Sequence, residues 1–505
     1  MITSPYSKHA KLFPNKAALI TKDGVLTYRE WDKAVRKTAT WFQAMDSHHK
    51  TVGIHLPNGI PFLQVFAGAA AAGWKAVPLD LKWKKEELQK RIELAQPDFI
   101  ITTTNLFSKE IGFNQNVLIW KECKEKIAEM PTKKNFPDLD DSLPFYLGFT
   151  SGSTGSPKAF IRSHLSWIES FVCTRREFGI KENDHVLIPG PLFHSHSLFG
   201  AMSTLFIGGT VYVLDKFSPE KMFSVIRDHP VSVVYIVPTM AEALLKKNTS
   251  VKQPLKLISS GAKLEVHTRN RIRSMFPNLI LFEFYGAGEL SFVSFSNNER
   301  KPDSVGRPFH NVKVQIRRHN GEIAGVGEIG KIYVRSPMTF IGYITEPGGY
   351  AKSIADEQGW VTVNDMGWID EEGYLYVAGR ENNMILYGGI NLFPEEIEAV
   401  LTKHPEVEKA AVVGLSDPYW GQIAVGIIQG DVSKLELKRY CKKHLASYKV
   451  PRKWCFIEEM PMTTSGKIAR GELLRLVEKR LVNATSINDR KHPMIERMSC
   501  CGKGM

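Results

Sequence analysis

Apolar residues recur along the chain with two periods. Over Leu26–Phe42, Trp31, Ala34, Val35, Trp41 and Phe42 fall at helical spacing, Thr38 is the one polar break in the stripe, and Thr27 stands where a capping hydroxyl belongs. Short apolar runs then predict strands at Thr51–Leu56, Ala76–Leu79 and Phe99–Thr103, with helices at Pro61–Gly73 and Lys84–Ala95 between them. The first of these helices is built of small residues, which suits close packing. Strands alternating with helices imply βαβ units and a parallel sheet. The alternation continues through the strands Val186–Ile188, Thr210–Leu214, Val233–Ile236, Leu255–Ser259 and Ile280–Phe284, with helical stretches at Pro219–Asp228 and Glu265–Met275.

Past about residue 305 the pattern changes to glycine-punctuated strands, Lys313–Arg317, Gly330–Val334 and Tyr374–Val377, which predict a small antiparallel, barrel-like section. A further module follows from about residue 383. It comprises a helix at Pro394–Leu401, strands at Val407–Gly414 and Ile423–Ile428, a helix at Leu435–His444 and a strand at Lys453–Phe456. The expected architecture is therefore α/β: a large N-terminal domain over residues 1–381, a small α+β domain over 382–482 and a polar tail over 483–505.

Composition narrows the function classes. At 505 residues the chain exceeds what one core serves, and 43% apolar with 24% charged residues is an ordinary globular balance. The net charge of +13 is spread along the chain, and its densest stretch, Leu81–Lys90, is diluted by Glu86 and Glu87. With no Cys/His finger spacing and no aromatic RNA-binding pattern, nucleic acid is not the expected partner; a polyphosphate substrate suits the charge as well. The six cysteines form no CxxC pair, which argues against a zinc ribbon and fits a reducing compartment. The N-terminus lacks an apolar signal core, and the nearest approach to a membrane span, Phe66–Gly73, is far too short. No transmembrane segment and a cytoplasmic location are expected.

The candidate chemistry begins at Thr150–Lys158, TSGSTGSPK, placed after the apolar run Phe145–Phe149 and hence at a strand end. Its glycines let backbone N–H groups converge on an anion, its hydroxyls add donors and Lys158 adds charge. Spacing excludes two rivals. A Walker loop needs GxxxxGK, but Pro157 stands where its second glycine belongs; a nucleophile elbow needs GxSxG, but Ser151 stands where its first glycine belongs.

The segment TSGSTGSPK resembles the phosphate-binding signature of the adenylate-forming superfamily, which includes acyl-CoA synthetases, adenylation domains of peptide synthetases and luciferases. Further segments follow in that family's order. Pro191–His194 (PLFH) resembles the stretch near the acyl pocket, and Ser259–Leu264 (SSGAKL) the adenine-side loop. Tyr285–Glu289 (YGAGE) resembles YGxTE, and Gly359–Asp365 (GWVTVND) the ribose-holding GWxxTGD. Gly379–Glu398 resembles the hinge signature, and Pro461–Arg470 (PMTTSGKIAR) the catalytic-lysine motif. The resemblance spans from near Asn15 to near Arg480.

The resemblance implies roles residue by residue. Thr150, Ser151, Gly152, Ser153, Thr154, Gly155 and Lys158 would cradle the phosphates of ATP, with Thr150 also counted as catalytic. Ser260, Gly261, Ala262, Tyr285 and Gly286 would line the nucleotide site, Asp365 would accept the ribose hydroxyls, and Arg380 would sit near ribose or phosphate. Glu289, also counted as catalytic, would bind Mg²⁺, as a hard carboxylate oxygen suits that ion. Lys467 would be the principal catalytic cation, cancelling repulsion between a carboxylate and the α-phosphate. His194, Phe199, Thr239, Gly261, Tyr285 and Gly286 would form the acyl pocket, Gly388 and Gly389 the CoA channel, and Asn382 the hinge about which the small domain swings.

The implied function is an ATP-dependent acid–CoA ligase acting on a fatty or aryl carboxylic acid, with ATP and CoA as co-substrates. A carrier-protein thiol as acceptor, or a weakly active nucleotide-binding homologue, are the alternatives. Departures from the usual motifs are Ala159, Gly288, Val363, Asn364 and Asn382. Gly288 removes a hydroxyl that normally meets phosphate, a loss of roughly 1.5–3 kcal/mol for a charge-assisted hydrogen bond.

Overall fold

The computed structural model describes residues 1–104, 116–133, 140–150, 158–247, 249–297, 301–387, 390–417, 419–463 and 467–485; the side chains of 150, 391 and 480–485 are outside this description. By compactness the chain divides into two units. The first comprises Met1–Gln315, Tyr333–Val363 and Glu372–Leu375; the second comprises Ile316–Ile332, Asn364–Glu371 and the chain from Tyr376 onward. Residues 316–332, 364–371 and 376–381 thus group with the C-terminal part.

Two large sheets build the first unit. Among the described residues, one has nine strands and is parallel through Leu279–Ala287, Leu255–Ser259, Val233–Ile236, His185–Ile188, Thr210–Val213 and Ala17–Thr21. Val233–Ile236 and Thr210–Val213 are buried at every position, as parallel strands covered on both faces must be. Helices Pro219–Asp228, Pro238–Leu245 and Val266–Met275 cover one face, packing Met222, Ile226, Leu244 and Ile272 onto Leu187, Val234, Leu257 and Leu281. The other sheet has seven described strands, in the order Gly342–Ile344, Lys158–Ser163, Pro144–Thr150, Lys75–Pro78, Thr51–His55, Phe99–Thr102 and Val117–Ile119.

The helix expected over Leu26–Phe42 forms with shifted bounds. It runs Tyr28–Gln43, because Leu26 and Thr27 belong to the strand Gly24–Thr27. Thr27 caps it in a reciprocal box with Glu30. The polar break at Thr38 is buried but satisfied: its hydroxyl donates to the Ala34 carbonyl and accepts from Gln64. Gly68 of the small-residue helix Ile60–Ala71 meets it there, where a Cβ would come within 2.4 Å of Thr38 Cγ2.

The second unit holds most of a four-stranded sheet, Lys313–Arg317, Gly330–Arg335, Asp365–Ile369 and Leu375–Arg380. It also holds a sheet in which the long hairpin Val407–Asp417 and Gly421–Gly430 is flanked by Ile385–Tyr387, Ile390–Leu392 and Lys453–Phe456. Its last described helix, Arg470–Thr485, runs past residue 483, where the sequence reading placed the start of the tail. Leu473 and Val477, four apart on that helix, are buried against Val413, Val425 and Ile427, which fixes it to the sheet. The helices Tyr6–Leu12, Trp120–Glu129, His164–Arg176 and Ser195–Ile207 were also missed by the pattern. Among the described residues no helix is long and apolar enough to cross a membrane.

Candidate active site

The strand Pro144–Thr150 and its antiparallel neighbour Lys158–Ser163 flank the phosphate loop and pair through to Thr150 and Lys158. Ser151, Gly152, Ser153, Thr154 and Gly155 lie outside the described residues, as does the side chain of Thr150. Lys158 is exposed, with Nζ 5.5 Å from the centre of the Tyr343 ring. The Tyr343 hydroxyl donates to Glu289 Oε1 at 2.6 Å. One tyrosine therefore joins the loop lysine to the expected metal ligand.

Glu289 is 7% exposed. Its carbonyl accepts from Phe340 N–H at 2.8 Å; among the described residues no cationic side chain comes within ion-pair distance of its carboxylate, and the buried Arg162 guanidinium acts on it only at longer range. A buried carboxylate held by a single hydroxyl is a costly arrangement unless a cation completes it. Its charge and oxygen donors fit a hard divalent ion such as Mg²⁺.

The departure at Gly288 has a steric cause. A Cβ there would lie 2.8 Å from Phe160 Cζ and 2.9 Å from Cε1. The ring cannot easily withdraw, because its tip also fills the space over Gly148, where a Cβ would come within 2.4 Å, and it packs edge-on to Tyr146. Phe160 takes the room that a threonine at 288 would need.

On the neighbouring strand ends, Ser260 is buried and donates to the Phe284 carbonyl. Gly261 has φ +95°, a left-handed backbone that favours glycine. Glu283 steadies this loop by accepting from Leu264 N–H and pairing with Arg269 at 2.7 Å, while Ala262 is exposed. Tyr285 and Gly286 follow on the same strand; a Cβ on Gly286 would collide with the Ser291 carbonyl across the bulge.

The expected acyl-pocket residues are placed unequally. His194 precedes helix Ser195–Ile207 with its ring tilted at 51° against Phe193, and Thr239 is exposed on Pro238–Leu245. Phe199 is buried among Trp167, Phe171 and Phe292, which makes it a wall of the aromatic core. Sequence reasoning missed His196, whose ring lies between Tyr235 and Phe284 and whose Nε2 hydrogen-bonds the Ile236 carbonyl. Burial lowers its pKa to about 4, so it is neutral. The repeated histidine in PLFHSH was the available signal.

Within the second unit the structure brings Asp365 and Arg380 together, Arg380 Nε donating to Asp365 Oδ1 at 3.1 Å. Asn364 has φ +64°, a conformation that glycine adopts freely and asparagine tolerates, so its replacement of the usual glycine keeps the turn. Asn382 sits in the 3-10 turn Glu381–Asn383, and Glu381 in that turn pairs with Lys331. Gly388 and Gly389 lie outside the described residues. Lys467 is exposed at the foot of a tight hairpin: Thr463 and Lys467 exchange hydrogen bonds, and Met462 bridges Ile468. Just beyond, Arg470 forks onto Glu398 at 2.5 and 2.6 Å.

Cys173, Glu177 and His310 also lie close together. His310 Nδ1 bonds Glu177 at 2.8 Å and the thiol donates to Asn311. Burial pushes the Cys173 pKa up, opposing the thiolate a metal would take, so the trio is structural.

A family model of AMP-binding enzymes matches residues 6–344, and that of the AMP-binding enzyme C-terminal domain matches residues 396–467. The chain belongs to the AMP-binding enzyme family. Among curated relatives, an uncharacterized acyl–CoA ligase of Bacillus subtilis, YhfT, is 48% identical over 95% of this chain and 98% of its own length. The 2-succinylbenzoate–CoA ligase of the same organism is 29% identical over 92% of this chain and 96% of its own. The solved structure of o-succinylbenzoate CoA synthetase from Bacillus subtilis with its acyl-adenylate intermediate superposes with a TM-score of 0.83. It is 27% identical, covering 93% of this chain and 97% of that one. The same enzyme with ATP and magnesium ion gives a TM-score of 0.83 at 27% identity, over 93% of this chain and 98% of that one. Membership in the AMP-binding family accounts for the ordered motifs.

Proposed function

We propose that the protein is an ATP-dependent acid–CoA ligase that makes an acyl-adenylate and then an acyl-CoA thioester from a fatty or aryl carboxylic acid. The observation that carries this reading is the buried Glu289 carboxylate, which makes no direct ion pair among the described residues and is tied through Tyr343 to Lys158 beside the loop Thr150–Lys158. It is supported by the acyl–CoA ligase names among its relatives.

In the first half-reaction the substrate carboxylate oxygen attacks the α-phosphorus, and the bond to the pyrophosphate leaving group breaks. Lys158 and the backbone of Thr150–Gly155 hold the phosphates. Glu289 would hold Mg²⁺, which would supply positive charge to neutralise the phosphates. Lys467 supplies the cation that offsets repulsion between the two reacting anions. Ser260, Gly261 and Ala262 border the adenine, and Asp365 with Arg380 holds the ribose. The domain 382–482 then turns about Asn382, withdrawing Lys467 and bringing Gly388 and Gly389 to the thiol channel. In the second half-reaction the CoA thiolate attacks the acyl carbon and AMP leaves. His194 and Tyr285 border the acyl group. A cytoplasmic setting is part of the proposal, and the free thiols Cys123, Cys173, Cys441 and Cys455 suit it.

AMP formation measured across a panel of fatty, aryl and dicarboxylic acids, with and without CoA, tests this. CoA-dependent AMP release with at least one acid is expected. ATP binding with no pyrophosphate exchange for any acid would overturn it.

A further inference from the structure

We propose that Arg162 is a positioning residue for Glu289: its buried guanidinium clamps the backbone on both sides of that carboxylate and so sets how it meets a divalent ion. This rests on the metal-binding role proposed above for Glu289.

Strand periodicity supplies the starting point. Side chains two apart on Lys158–Ser163 share a face, so Lys158, Phe160 and Arg162 are aligned. All three serve the neighbourhood of Glu289. Lys158 lies over Tyr343, Phe160 fills the space beside Gly288, and Arg162 Nη1 donates to the Gly288 carbonyl at 2.9 Å. Arg162 Nη2 donates to the Met338 carbonyl at 2.7 Å and to the Ser166 carbonyl at 3.3 Å, and Nε donates to Ser166 Oγ at 3.1 Å.

The two long-range contacts matter most. Gly288 directly precedes Glu289. Met338 begins the segment whose Phe340 N–H binds the Glu289 carbonyl and whose Tyr343 hydroxyl binds its carboxylate. Both the ligand and its hydroxyl partner are thus hung from one guanidinium. Gly288 has no side chain to restrict its own backbone, so the peptide leading to Glu289 needs restraint from outside. A planar fork can hold several carbonyls at once, which an ammonium cannot do in the same geometry.

The clamp is not accounted for by stability alone. Arg162 is 3% exposed, and among the described residues no carboxylate pairs with it within 4 Å. A buried cation whose hydrogen bonds go only to neutral carbonyls and a hydroxyl is an expensive way to fill a core. Ser166 in turn is fixed by the Ser163 carbonyl and hydroxyl and by Ser170, so the guanidinium itself is preset.

The test uses the full chain with Arg162→Gln, Arg162→Lys and Ser166→Ala. Binding of a non-hydrolysable ATP analogue is measured by calorimetry while Mg²⁺ is titrated, alongside thermal melting; this readout needs no acid substrate. The expected result is a Mg²⁺ midpoint raised about tenfold or more for Arg162→Gln, less for Arg162→Lys and two- to fivefold for Ser166→Ala, with metal-free nucleotide affinity unchanged. Folded variants with the wild-type Mg²⁺ midpoint would overturn the proposal. So would an equal loss of nucleotide affinity with and without Mg²⁺, which signals general loosening. Should Arg162→Gln not fold, the lysine and Ser166 variants decide. Failure of the wild type to bind the analogue in a Mg²⁺-dependent way would instead refute the role given to Glu289.

Discussion

Glu289 and Lys467 are both charged side chains expected at one reaction, yet they are held in opposite ways. Glu289 is buried, its backbone is restrained from both sides and its carboxylate takes a hydrogen bond from a tyrosine of a separate segment. Lys467 is exposed on a hairpin closed by its own backbone and Thr463. The rigid supports of that hairpin lie just beyond it, in the Arg470–Glu398 fork and the helix from Arg470. A metal ligand must present fixed oxygens before the ion arrives. On the function proposed above, Lys467 leaves between the two half-reactions, and such a cation is better carried on a short lever from a firm base.

Lys467→Ala tests this contrast most severely. Pyrophosphate exchange is expected to fall on the order of 10²–10³-fold, whereas thioester formation from supplied acyl-adenylate stays near wild type. Equal loss of both steps would show that Lys467 is not specific to the first. Glu289→Gln comes next. Activity at low Mg²⁺ should fall roughly 10–100-fold, with partial recovery as Mg²⁺ is raised; a loss that Mg²⁺ does not touch would sharpen the role into something other than metal binding.

Restoring the missing hydroxyl with Gly288→Thr should harm the protein, by about 1–3 kcal/mol of stability for overpacking, because Phe160 already fills that volume. The double variant with Phe160→Val should recover most of the loss in a urea melt. A neutral single variant would mean that the ring yields.

The last effect concerns acid. Burial lowers the pKa of His55 to about 4, of His164 to about 3 and of His196 to about 4, all in the first unit. Between these values and the ordinary 6.5 the unfolded chain binds protons that the folded chain refuses. Stability therefore rises with pH across that window and is lost as pH falls from 7 toward 4.5, by at most about 1.4 kcal/mol per histidine for each pH unit. Melting followed separately by probes in each unit should show the first losing more than the second.

Much of the site was legible because each motif is a continuous stretch whose order along the chain is itself a signal. Glu289, Asp365 and Lys467 were named as candidates that way. Arg162, Phe160 and Tyr343 were not reached. Arg162 bonds a carbonyl 126 residues away and Tyr343 bonds Glu289 across 54, so no local spacing announces either contact.

The sequence by itself determined the alternation of strands and helices, the Thr27 cap and the position of the phosphate loop, since periodicity, capping chemistry and turn glycines act over a few residues. Only the tertiary structure decided why residue 288 is glycine, why Asn364 can stand where glycine is usual, and what supports Glu289. Those answers depend on volume and hydrogen-bond partners contributed by distant segments, and these exist only once the sheets have formed.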